Sequence, residues 1–330
     1  MQSSGRITLK DIKNEFGGVA PHKLTEYYGV ASGIPTSGEI TIQDFYGASA
    51  SITVSVTNNR KNFQVARYLN GLYPFNGWHG KKITMFGPAS GKYFYADATD
   101  KYGCEISTTV TDNVSGRFIL YNRGYIIGKG GRGGQNGAGL NGGPAMYVAK
   151  GSKVSIACQN AIIAGGGGGG GAGSSWAGGG GGAGGGKGGQ SKSNNDGGAG
   201  GSLGEKGGNG DAGSSGGGEA GGAGARSWQI KKSADPEHGG AGGGRKLVQR
   251  DGNWQSNGGT NSSAGNGGSN NSNGVNDTGG RKGGGGGGWG ASGGKGGSRA
   301  GGAGGAAVVY GQKTGIQIAT HQGGEVWGSY

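Results

Sequence analysis

Glycine decides what most of this chain can become. Of 92 glycines, 14 lie in residues 1–120 and 78 in residues 121–330. They come as G-G-x-G-G runs and as solid blocks, such as 165–171 and 283–288. A segment of this kind has no side chains from which to build an ordinary core. It is either a disordered tether or a structure made from backbone alone.

The spacing of the mixed stretches separates those readings, because solid blocks satisfy any period. Gly128, Gly131, Gly134 and Gly137 fall three apart, and Gly130, Gly133, Gly139 and Gly142 form a second track that skips Asn136. Gly284, Gly287, Gly290, Gly293 and Gly296 repeat the spacing. Three residues per turn is the polyproline-II period, an extended helix rising about 3.1 Å per residue with no internal hydrogen bonds. Such helices can bond side by side where the facing residue lacks a Cβ. Strict Gly-X-Y is absent and the chain has only six prolines, so collagen is a poor match. Ordering each backbone unit costs about 1–2 kcal/mol, and glycine loses the most freedom. A glycine lattice must therefore be cooperative and nearly fully hydrogen-bonded. Its edges need the short apolar segments that interrupt it, at 144–148, 154–157, 161–164, 306–310 and 314–319. Composition alone leaves tether and lattice close to balanced.

The first 120 residues look conventional. Ser4-Gly5-Arg6-Ile7-Thr8-Leu9-Lys10-Asp11-Ile12 returns as Ser37-Gly38-Glu39-Ile40-Thr41-Ile42-Gln43-Asp44-Phe45. Each copy reads as a turn, an apolar stretch and an Asp-led turn or short helix. Leu24, Tyr27 and Tyr28 suit one helical turn between them. Residues 1–49 carry little apolar surface for a free-standing core. Residues 50–120 read as a small β-rich domain, with alternation over 51–57 and further strands over 106–111 and 117–121. The aromatic loop Tyr73-Pro74-Phe75-Asn76-Gly77-Trp78-His79-Gly80 is either a contact surface or a core anchor.

The formal net charge is +13, with Lys and Arg set singly between glycines, as at Lys129, Arg132, Lys187, Lys206 and Lys295. That pattern suits solubility and gives no dense nucleic-acid patch, so no nucleic-acid partner is expected. Cys104 and Cys158 are two separate thiols or one bridge. The start lacks a secretory signal and no run reaches transmembrane length, which predicts a product made in the cytoplasm. No nucleophile elbow, phosphate loop or H-E-x-x-H occurs. His22, His79, His238 and His321 are isolated, and Asp235-Pro236-Glu237-His238 is a polar turn. No enzyme, cofactor or metal is expected.

Residues 121–330 resemble the distal long-tail-fibre adhesins of tailed bacteriophages. The points of match are Ile127-Gly128-Lys129-Gly130-Gly131-Arg132-Gly133-Gly134, Asn141-Gly142-Gly143-Pro144-Ala145, and Asn160-Ala161-Ile162-Ile163-Ala164 running into 165–171. Residues 1–49 separately resemble a short phage tail-protein module, through Asp11-Ile12, Glu15-Phe16-Gly17, Glu26-Tyr27-Tyr28-Gly29 and Gly38-Glu39-Ile40-Thr41-Ile42-Gln43-Asp44-Phe45-Tyr46-Gly47. The resemblance implies a mainly β and irregular fold: a tail- or fibre-attachment module at 1–49, a small β-rich domain at 50–120, and a polyglycine-II helix sandwich at 121–330. It implies a virion protein, assembled in the host cytoplasm, that binds a host outer-membrane protein or lipopolysaccharide. Residues 1–49 would mount it on a tail fibre, baseplate or tail tip. A structural tip protein that binds no receptor is the alternative. Polysaccharide-cleaving tailspikes use a long β-helix, for which the sequence shows no repeat.

Receptor contact is expected in the non-glycine insertions, because a regular lattice cannot discriminate. The candidates are Trp176, Asn194, Asn195, Asp196, Asp211, Trp254, Asn270, Asn271 and Trp289, with Trp228 weaker because Ile230 beside it suggests an edge cap. Trp289 either contacts the receptor or covers the lattice, and Trp327 is expected to seal an end. The scaffold glycines are Gly128, Gly131, Gly134, Gly137, Gly284, Gly287, Gly290, Gly293 and Gly296.

Overall fold

A computed structural model of the chain describes residues 3–172, 179–187, 189, 284–296 and 299–330, apart from 19, 32, 49, 76, 136 and 323. The two copies of the N-terminal repeat share a capping box and differ in the element that follows it. In the first, Thr8 precedes helix α1 (Leu9–Phe16) and closes a capping box with Asp11. In the second, Thr41 closes one with Asp44 ahead of a 3-10 turn at Ile42–Phe45. A threonine three residues before an aspartate satisfies two otherwise unpaired N–H groups at once. The expected turn at Leu24 and Tyr27 is a 3-10 segment, Leu24–Tyr27. Ile7, Ile12, Tyr27, Ile34, Phe45 and Ala48 close a small core of their own. Glu15 ties this segment to the rest, accepting from the Ala50 N–H at 2.9 Å and pairing with Lys81 at 3.4 Å.

From residue 51 onward the described residues are mainly parallel β-sheet with few short helices. It visits three sheets in rotation. The first holds β1 (Ser51–Ser55), β4 (Lys82–Phe86), β7 (Phe118–Asn122), β10 (Val154–Gln159) and β13 (Gln317–His321) in that order. The second holds β2 (Arg60–Lys61), β5 (Tyr93–Tyr95), β8 (Tyr125–Ile127), β11 (Ile162–Ala164) and β14 (Glu325–Trp327). The third holds β3 (Phe63–Gln64), β6 (Cys104–Ile106), β9 (Met146–Lys150) and β12 (Val308–Gln312). The return to the first sheet passes through α2 (Val65–Leu72), α3 (Thr108–Asn113) or the 3-10 turn Gly151–Lys153.

Every ladder between these strands is parallel, so inward residues stack in columns. Val54, Met85, Leu120, Ile156 and Ile318 line up on the first sheet. Phe94, Ile126, Ile163 and Val326 do so on the second. On the third, Phe63, Cys104, Met146 and Val308 form one column. These columns make one continuous apolar core. Both cysteines lie in it as free thiols. Burial pushes the Cys104 thiol far up and the Cys158 thiol to about 11, so neither is a ready nucleophile.

Two expectations are corrected here. Residues 106–111 are not one strand, because β6 ends at Ile106 and α3 starts at Thr108. The helix carries the chain round the corner while burying Val110 and Thr111 side by side, which a strand cannot do on one face. The coiled parallel architecture, for which the sequence shows no repeat, is nonetheless present. What repeats is inward alternation over strands of two to six residues, and coils of unequal length hide it.

Glycine enters at one corner. The runs leave the second sheet after β8 and β11 and rejoin the third at β9 and β12. Residues 165–172 lie in their midst, and successive N–H groups donate in rotation. Gly166, Gly169 and Ala172 donate to Gly143, Leu140 and Gly137; Gly167 and Gly170 to Ala183 and Gly180; Gly168 and Gly171 to Ala291 and Gly294. The carbonyls follow the same rotation. Gly167 and Gly170 accept from Gly131 and Gly134, Gly168 and Gly171 from Gly287 and Gly284, and Gly166 and Gly169 from Gly305 and Gly302. All these bonds measure 2.7–2.9 Å.

Candidate receptor-binding surface

A three-residue period gives each glycine run three faces, and the residue type on each face follows from what it meets. In 128–135, a Cβ on Gly131 or Gly134 would overlap backbone carbonyls of the returning run, at Leu140 and Gly137. A Cβ on Gly130 or Gly133 would overlap those of Gly182 and Gly179. Lys129, Arg132 and Gln135 occupy the third face and keep their side chains. In 165–171 all three faces are covered. Each added Cβ would come well inside 3.0 Å of backbone from the runs at 129–132, 284–288 or 299–306. Solid glycine is thus the interior pattern and x-G-G the peripheral one. Of the nine scaffold glycines, only Gly137 has nothing within 4 Å of an added Cβ. It contributes its carbonyl instead, to Ala172 N–H at 2.9 Å.

The bundle has a near end and a far end. The near end joins the sheets, where Gly128 N–H bonds to the Ala164 carbonyl and Gly165 N–H to that of Trp327. Gly179 N–H bonds to Gly134, Gly189 N–H to Gly179, Gly284 N–H to Gly171, and Gly296 pairs with Arg299. The residues flanking the segments outside the description, Ala172, Gly179, Gly189, Gly284, Gly296 and Arg299, therefore gather at the far end.

Among the sequence-derived contact candidates, Trp289 is placed and is corrected. Its side chain is 0% exposed. It packs with Tyr125, Ile127, Ile162, Ala164, Ala183 and Trp327, where the glycine runs meet the second sheet. A bulky apolar group at that junction seals the seam between backbone lattice and side-chain core, so it does not reach a receptor. Trp327 lies in the same cluster at 8% exposure. Trp176, Asn194, Asn195, Asp196, Asp211, Trp254, Asn270 and Asn271 lie outside the described residues, as does Trp228.

The aromatic loop after α2 divides. Trp78 is buried and donates its indole N–H to Asn70 Oδ1 at 2.6 Å, whereas Phe75 is wholly exposed. Nearby, Arg60, Lys61, Arg67, Tyr68 and Leu72 line a basic cleft of about 380 Å³ at the end of the coil. The sequence reading missed this cleft. Its signal was Arg60-Lys61 followed by Arg67 in an otherwise sparse charge pattern.

The comparisons with known proteins agree with this architecture. The family model for the phage tail fibre adhesin Gp38 matches residues 51–233. A solved structure, the gp37–gp38 adhesin tip complex of the bacteriophage S16 long tail fiber, contains a chain of the same fold. The TM-score is 0.53 at 21% identity, over 99% of this chain and 99% of that one. No curated protein matches. The family match, over more than half of the chain, thus makes it a phage attachment protein of the tail-fibre tip. The chain belongs to the phage tail fibre adhesin Gp38 family. It is accordingly a virion component that works by binding and not by catalysis.

Proposed function

We propose that the glycine bundle is a polyglycine-II sandwich, and that it holds receptor-binding loops at its far end. The observation that carries this reading is the convergence there of the residues flanking 173–178, 190–283 and 297–298. A rotation of hydrogen bonds through three directions is what a three-residue helix demands of its neighbours. A bundle so bonded holds its loops in fixed register, which lowers the ordering cost of binding. The loop candidates remain Trp176, Asn194, Asn195, Asp196, Asp211, Trp254, Asn270 and Asn271, facing a host outer-membrane protein or lipopolysaccharide.

In the same reading residues 1–49 mount the chain on a tail fibre, baseplate or tail-tip protein. Residues 50–120 are the small β-rich domain, whose strands share their sheets with those of the receptor-binding part at 121–330. The S16 structure is a gp37–gp38 adhesin tip complex of a long tail fiber, which favours a fibre mount here.

The test is adsorption of the full chain to susceptible cells and to cells stripped of outer-membrane proteins. Binding to the first and not the second is expected. Equal binding to both, or to neither, rejects a protein receptor at the loops.

A further inference from the structure

The outer face of residues 128–135 carries charge where its other two faces carry glycine. Lys129 and Arg132 fall three residues apart on that face. At a rise of about 3.1 Å per residue they stand about 9 Å apart along one ridge. The adjoining run brings a third cation, since the Lys187 carbonyl accepts the Gly133 N–H at 2.9 Å. Burial holds the Lys129 ammonium below the usual lysine range, Asp97 opposes that shift, and Lys187 adds to it.

Counter-charge is short along this ridge. Among the described residues, no carboxylate forms an ion pair with Lys129, Arg132 or Lys187. Asp97, the acid that acts on Lys129, is already held by Asn62 Nδ2 at 2.6 Å and Lys61 Nζ at 3.1 Å. Arg132 Nε is buried and has no hydrogen-bond partner. A buried donor left unsatisfied costs free energy, so a turn of the guanidinium toward an acceptor at the surface is favoured. A guanidinium and two ammoniums on a stiff backbone suit a multi-oxygen dianion better than a single carboxylate.

We propose that Lys129, Arg132 and Lys187 form a docking ridge for phosphate groups of a host-surface glycan. The proposal rests on the adhesin reading and adds to it a contact on the flank of the bundle, which runs up to within two residues of Gly189 at the far end. Capture there would be electrostatic and weakened by salt. It would hold the particle at the surface while the loops search.

The experiment measures binding of the full chain to immobilised phosphorylated lipopolysaccharide core and to its dephosphorylated form. The variant Lys129→Gln/Arg132→Gln/Lys187→Gln should bind the phosphorylated form about tenfold more weakly or worse, with an unchanged melting temperature. The wild type should show the same loss on the dephosphorylated form. Displacement by inorganic phosphate assigns the ridge to the phosphate group itself. Displacement only by phosphorylated glycan assigns it to phosphate in its saccharide setting.

A control with equal charge loss, Lys10→Gln/Lys13→Gln/Lys23→Gln, should bind as wild type; an equal loss there would reduce the effect to net charge and overturn the ridge. Undiminished binding by the triple variant, or by the wild type to dephosphorylated core, also overturns it. If the triple variant does not fold, Lys187→Gln alone decides, because its side chain is exposed. It should lose about threefold, and no loss overturns the proposal. Glycan binding by a chain that fails to adsorb to cells would keep the ridge and reject the loops. Protein-receptor binding without glycan binding would do the reverse.

Discussion

The coil and the glycine bundle solve the same problem from opposite materials. In the coil, strands about 4.8 Å apart stack side chains into columns, and burying Met85, Leu120 and Ile156 stabilises by about 1.5–3 kcal/mol each. In the bundle there is almost nothing apolar to bury. Each glycine brings about 0.5–1.5 kcal/mol of net hydrogen bonding against an ordering cost of about 1–2 kcal/mol. A lattice on those terms does not stand alone. It has to grow from a clamp, and the clamp is the row of strand ends at β8, β9, β11, β12 and β14, sealed by Trp289 and Trp327. The difference teaches that the stable part of this adhesin supplies order and the glycine part supplies shape.

The comparison is broken most directly at the centre of the bundle. Gly169→Val puts a branched side chain into the backbone carbonyl of Arg132, with no flexible group to yield. It should cost about 3 kcal/mol or more and abolish the bundle's cooperative transition while the coil still melts. Gly137→Ala, three-residue register notwithstanding, meets nothing within 4 Å. It should leave the transition within about 0.5 kcal/mol of wild type. Calorimetry on both variants checks the pair. Equal effects would mean that glycine serves flexibility, not close approach.

Trp289→Ala tests the clamp. Removing a fully buried indole from the seam should cost about 3–5 kcal/mol. Because its neighbours Ile127 and Ile162 belong to the coil and Ala183 to the bundle, the loss should separate the two melting transitions. Leu120→Ala, wholly inside the coil, should cost about 2–5 kcal/mol and lower both transitions together, since the bundle falls with its clamp. If Leu120→Ala leaves the bundle's melting unchanged, the bundle is self-supporting and needs no clamp.

These residues also mark what could be read from the sequence. The glycine tracks were legible because their period is set by contact: Gly130 and Gly133 face one run and Gly131 and Gly134 another. The family resemblance was legible for the same reason. The coil was not, because a two-residue strand such as Arg60–Lys61 holds too short an alternation to stand out. Thr108, Thr109 and Val110 favour strands locally, and the need to turn a corner overrides that preference. Trp289 was ambiguous because a tryptophan inside a glycine block has no local pattern to show which way it faces. Only the return of the chain to Tyr125 and Ile162, far away in sequence, buries it.

The smallest effects belong to the N-terminal segment, whose core is separate from both larger regions. Thr41→Ala removes one capping box and should cost about 1 kcal/mol, read as faster hydrogen exchange across residues 41–46 with no change in coil or bundle. The matching box has a pH signature. Hydrogen bonds from the Thr8 side chain and then the Thr8 backbone lower the Asp11 pKa below its ordinary value. A folded-state pKa below the unfolded one means the contribution is complete above the ordinary carboxylate range and fades as the pH falls through the lowered value. Exchange protection at Asp11 and Ile12 should therefore weaken in acid, and Asp11→Asn should remove that pH dependence while leaving Thr41 and Asp44 unaffected. A Thr8→Ala variant should lose only part of the acid-sensitive protection, because the backbone N–H of residue 8 still donates to Asp11 at 2.8 Å; full retention would assign the effect to that backbone bond alone.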